Sequence, residues 1–105
     1  MDEHAAIALV SLEELHGYLP EAYVGLVLAT GSSAFEATHA LEERAQHLTR
    51  RNQAHRAAAG HQASSTHAYA VLGVRLTAGI SPSGQPEWVA YGTLARGRRH
   101  EQSPP

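Results

Sequence analysis

The sequence predicts an α+β fold. One long helix packs on a small antiparallel sheet, in the order β-α-β-β, with a candidate extra strand at the N-terminus. Three observations carry this. A capped amphipathic stretch begins at Ser33. An apolar, β-branched run (22–30) precedes it, and two further runs (68–77 and 87–95) follow it, separated by a loop rich in Gly, Pro and Ser. The chain of 105 residues, 43% hydrophobic, is short enough for a single domain. We place that domain at 1–96 and read 97–105 as a disordered polar tail.

The helix has the clearest signal. Ser33 and Glu36 are spaced as a capping box, in which the two side chains satisfy backbone donors reciprocally. Glu36, Glu42 and Glu43 come early and Arg44, Arg50, Arg51 and Arg56 late, the order that complements the helix dipole. At about 100° per residue, Leu41, Ala45, Leu48, Asn52 and Ala59 form one stripe, and His39, Glu43, Arg50 and Gln53 lie opposite. The stripe is thin and alanine-rich, so it admits a sheet closely but buries little area per residue. Gly60 either ends the helix or interrupts it, with "HQASST" (61–66) as a last irregular turn.

The first strand reads "AYVGLVLAT" (22–30), and "AAIALVS" (5–11) is the extra candidate. Residues 68–77 alternate. The face with Ala68, Ala70, Leu72, Val74 and Leu76 is assigned to the helix, and that with Tyr69, Val71, Gly73 and Arg75 to the outside. "GISPSGQP" (79–86) has hairpin-loop composition, and "EWVAYGTLA" (87–95) returns. Gly25, Gly73 and Gly92 each interrupt a strand, which points to a sheet face pressed by something close, first of all a neighbouring subunit.

Composition excludes several functions. The absence of cysteine removes disulfides and thiolate metal sites together. No apolar run approaches the ~20 residues of a membrane span, and the N-terminus lacks the basic start of a signal peptide, so the expected location is the cytoplasm. A net charge of -2 does not recruit nucleic acid. Every basic residue is an arginine, from Arg44 onward, while most carboxylates precede it. The plain reading is a compositional bias; the sharper one is complementary surfaces meeting between subunits. For Arg96, Arg98 and Arg99 the plain reading is a solvated tail and the sharper one a contact to an anion or a nucleic acid.

Four segments give a family resemblance. "YVGLVLATG" (23–31), "HAYAVLGVRL" (67–76) and "VAYGTLA" (89–95) resemble, in order, segments of the YbjQ-like proteins, described as heavy-metal-binding, and "LHGYLPEAY" (15–23) is similar to the turn after their first strand. The resemblance covers roughly residues 5–96 and implies a dodecin-like subunit that assembles into a ring, typically a pentamer. His67 and Tyr69 depart from the family's usual glycine and asparagine.

Eight histidines invite a metal reading, yet none stands four residues from another. Glu43 and His47 read as a solvated helix pair. We assign no metal ligand and no cofactor.

Two functions follow. The first is a homo-oligomeric protein binding a partner or a small hydrophobic molecule, with Tyr69, Arg75, Trp88 and Tyr91 as binding residues. The second is a small cofactor-free acid-base enzyme of cyclase or isomerase type. There, His67 would move a proton, Arg75 would hold an oxyanion, and Tyr69 and Tyr91 would line one cleft with them. "GSS" (31–33) has the simpler role of capping.

Overall fold

The computed structural model describes residues 7–12, 14–15, 17–61 and 67–99. The elements are β1 (Ala8–Leu9), β2 (Tyr18–Gly31), α1 (Ala34–Ala58), β3 (His67–Ile80) and β4 (Pro86–Arg99). They form one four-stranded sheet in the order β1-β3-β4-β2 with α1 packed against it, an α+β fold. The three long strands are antiparallel, as expected; β1 is the extra N-terminal strand and runs parallel to β3, so the sheet is mixed. No helix of the described residues is long and apolar enough to cross a membrane.

The cap forms nearly as read. Ser33 Oγ accepts the Glu36 N–H at 3.1 Å. The Glu36 carboxylate returns to Ser32, not Ser33, accepting its backbone N–H at 3.1 Å and its hydroxyl. Those two bonds hold the Glu36 carboxyl below its ordinary pKa. At the other end, Ala59, Gly60 and His61 donate backward to carbonyls of the last turn, so α1 stops before Gly60. Residues 62–66 of the expected irregular turn lie outside the described residues. The buried stripe is Ala37, Leu41, Ala45 and Thr49. Leu48 and Asn52 are half-buried beside it, and Ala59, expected on the stripe, is exposed.

The helix side of the sheet holds Val27 and Ala29 of β2, Val71 of β3, and Ala90 and Leu94 of β4, in one core with Ile7 and the α1 stripe. A second, smaller core sits on the far side, where Ala70, Leu72 and Ala95 lie under Val10, Leu15 and Tyr18. The face assignment of β3 is therefore corrected. Tyr69 and Val71 belong to the helix, and Ala70 and Leu72 face away from it.

A bulge explains the inversion. The β3–β4 register slips between Leu72 and Arg75, where two residues of β3 oppose one of β4. Gly73 there has φ +64°, the left-handed conformation that a side chain disfavours. Beyond the bulge the parity flips, and Val74 joins the helix-side core. Gly92 is explained inside the chain as well. A Cβ there would meet Val71 Cγ1 at 2.7 Å and the Leu72 carbonyl oxygen at 3.0 Å, so β3 itself presses on it rather than a neighbouring subunit.

Two boundaries also move. β2 begins at Tyr18, so residues 18–23 of the stretch read as a turn are already strand. β4 runs to Arg99, and Arg96, Gly97 and Arg98 are paired on both sides, so residues 97–99, expected in the tail, belong to the sheet. Residues 100–105 lie outside the described residues.

Candidate functional site

The residues nominated from sequence divide between the two faces of the sheet. Tyr69 lies on the helix side, where its hydroxyl donates to Asn52 Oδ1 of α1 at 2.6 Å. Burial pushes its phenol pKa up, while the Arg96 and Arg56 guanidiniums oppose that shift. Trp88 is also on the helix side, packed against the core. Arg75 and Tyr91 are cross-strand partners on the opposite face. The Arg75 guanidinium donates to the Ser11 carbonyl at 2.7 Å and to the Val74 carbonyl at 3.1 Å, tying the N-terminal segment to β3 across the bulge. His67 opens β3 in register with Arg98, and its side chain lies outside the described residues.

The chain by itself therefore does not assemble the cleft of Tyr69, Arg75 and Tyr91 that acid-base chemistry would need. The sheet stands between the first phenol and the other two groups. This follows from the bulge, which places odd-numbered Tyr69 and odd-numbered Arg75 on opposite faces.

The far face shows a different feature. Its β1-side part is roofed by Val10, Leu15 and Tyr18. The Tyr18 hydroxyl donates to the Ala68 carbonyl at 3.0 Å and the Ala95 carbonyl at 3.1 Å. Burial raises its pKa to about 12, against a lowering contribution from Arg96. Past that roof the face is open. Leu26 and Leu28 of β2 are 67% and 48% exposed, with Thr93 and Tyr91 of β4 beside them in register.

The hairpin end is barer still. Residues 75–80 of β3 are exposed without interruption, Ile80 at 78% and Leu76 at 45%. The helix covers β2 and β4 and barely touches β3, so the helix-side face of this segment is uncovered. The short β1 pairs only with Ala70 and Val71, so among the described residues the 75–80 edge has no neighbouring strand. Among the described residues the outer edge of β2 has no neighbouring strand either. The described chain thus leaves the 75–80 segment and β2 without an outer strand on opposite sides of the sheet, both flanked by exposed apolar side chains.

Two clefts accompany the helix. One, of about 730 Å³, runs between α1 and the β2 edge, past Leu28, Glu43, Arg44, His47, Leu48 and Arg51. The other, of about 320 Å³, lies at the C-terminal end of α1 and includes Asn52, Arg56 and Arg96. Sequence reading missed the second because Arg96 was counted as near-tail. Its position two residues after buried Leu94, on the same strand face, is the signal that would have found it.

Among the described residues no three of His, Asp and Glu converge as a metal site would require. No family model matches the chain, and no curated protein or solved structure does either.

Proposed function

We propose that the protein is a cytoplasmic homo-oligomeric binding protein whose subunits join edge to edge. The observation that carries this reading is the bare hairpin end of β3. Six consecutive strand residues are exposed, with an open backbone edge and apolar side chains on it. An isolated chain that leaves such an edge free invites strand pairing, and a contiguous apolar surface of this kind marks an association site. The β2 edge on the other side of the sheet supplies a partner surface. Joining unlike edges is head-to-tail association, which closes into a ring when the rotation between subunits allows.

The resemblance to YbjQ-like proteins belongs to the same proposal, with a pentamer as the ring it suggests. The segments that carry it fall on β2, β3 and β4, and two of these strands, β2 and β3, carry the edges in question. A small hydrophobic molecule or a protein partner would then be held between subunits, against Leu28, Tyr91 and Arg75. The acid-base enzyme has no comparable support, because its groups are split by the sheet.

Size-exclusion chromatography with light scattering tests the reading. The expected mass is a small multiple of the chain mass, falling to one chain in the double variant Leu76→Asp with Ile80→Asp. A wild-type protein that stays monomeric at working concentration would remove the proposal.

A further inference from the structure

The cleft at the C-terminal end of α1 is built within one subunit and does not depend on association. It occupies about 320 Å³ between the last turns of α1 and strands β2 and β4. Its polar lining is Tyr23, Asn52, His55, Arg56, His61 and Arg96, with no carboxylate among the lining residues. Neither Arg56 nor Arg96 has an ion-pair or side-chain hydrogen-bond partner among the described residues. Nearby Arg98, in contrast, is paired with Glu21 at 2.7 Å.

A plain account covers part of this set. His55 and Arg56 sit in the last helical turn, where positive charge complements the dipole. It does not cover Arg96, which comes from β4. The register places Arg96 between Tyr69 and Ala22, half-buried and facing the helix end. Two guanidiniums from different elements thus line one partly enclosed space, with no carboxylate among its lining residues. Such a space favours an anion. The Tyr69–Asn52 bond adds a donor. With Oδ1 of Asn52 accepting from Tyr69, its Nδ2 group remains free to donate to a ligand.

The donors approach from three directions: Asn52, His55 and Arg56 from α1, His61 from the turn after it, and Arg96 from β4. A planar carboxylate is satisfied by one arginine fork. A tetrahedral phosphate presents oxygens in three dimensions and carries nearly two charges, which matches two guanidiniums set apart. The volume lies near the bottom of the roughly 300–1,000 Å³ range of ligand pockets, so the ligand body is small. We propose that this cleft binds the phosphate group of a small phosphomonoester.

Isothermal titration of the full chain with inorganic phosphate tests the proposal. Saturable binding is expected, weakened about tenfold or more in Arg96→Gln and in Arg56→Gln, the loss typical of a charge-assisted hydrogen bond. Arg44→Gln, which lines the other cleft, should bind as wild type. Circular dichroism and light scattering on each variant keep a folding or assembly defect distinct from a lost ligand contact. Failure of the ring reading would show in the wild-type mass and leave the phosphate titration intact. Absence of heat at millimolar phosphate, or wild-type affinity in Arg96→Gln, overturns the inference. Tighter binding of a single-stranded oligonucleotide than of phosphate, with steep salt dependence, overturns it in favour of a nucleic-acid backbone.

Discussion

The two halves of β3 belong to one strand and live in different environments. Residues up to Leu72 are enclosed, with Val71 against the helix and Ala70 and Leu72 under the N-terminal segment. Their edge is covered by β1. Residues from Arg75 to Ile80 are exposed and, among the described residues, have no strand on that edge. Both halves carry large apolar residues, Val71 and Leu72 in the first and Leu76 and Ile80 in the second. What differs is how far α1 and the N-terminal segment reach. The first half is thereby committed to folding, and the second is the part that the proposed association would use.

Paired truncations give the largest expected contrast. Leu72 is 4% exposed, and Leu72→Ala should destabilise the subunit by about 2–5 kcal/mol, measured by urea unfolding. Leu76→Ala, at a 45% exposed site, should change subunit stability by no more than about 0.5 kcal/mol and instead weaken association, seen as a smaller mass at equal concentration. Equal losses of stability at the two sites would mean that the halves are not distinct.

The junction between them gives the next contrast. Gly73 has φ +64°, so Gly73→Ala should cost about 1–2 kcal/mol. Gly79, in the exposed half, has no positive φ, and a Cβ there meets nothing within 4 Å. Gly79→Ala should be neutral or stabilise by up to about 1 kcal/mol, because it restricts only the unfolded chain. Thermal melts of the two variants separate a bulge that needs glycine from a strand that does not.

That junction also marks where the sequence was legible and where it was not. The Ser33–Glu36 cap, the long helix and the three long strands were all readable, because each is a local pattern. The facing of β3 was not. Its residues 68–72 are apolar on both parities, so alternation alone does not select a side, and a bulge reverses parity without leaving a motif beyond a lone glycine. The same reversal put Tyr69 and Arg75 on opposite faces and dissolved the cleft read from their spacing. The basic cleft was illegible for another reason. Asn52, Arg56 and Arg96 come together only through the register of β4 against β2 and β3, which no local pattern encodes. The end of β4 was likewise hidden, since "RGRR" is polar enough to pass for a tail while its backbone completes both ladders.

The smallest expected effect concerns the roof over the enclosed half. Tyr18 spans β3 and β4 from the far side, its hydroxyl on the Ala68 and Ala95 carbonyls. Burial raises its pKa from 10.0 to about 12. In that window the unfolded chain has released the phenolic proton while the native chain still holds it. Stability conferred by the neutral phenol is therefore complete below pH 10 and declines as pH rises toward 12. Spectroscopic titration should show a tyrosine ionising near pH 12, with that step missing in Tyr18→Phe. The same variant should lose about 0.5–1.5 kcal/mol at neutral pH, the contribution of an ordinary hydrogen bond. A wild-type titration in which every tyrosine ionises near 10 would mean that the hydroxyl is wet, and the far side of β3 would then be open along its whole length.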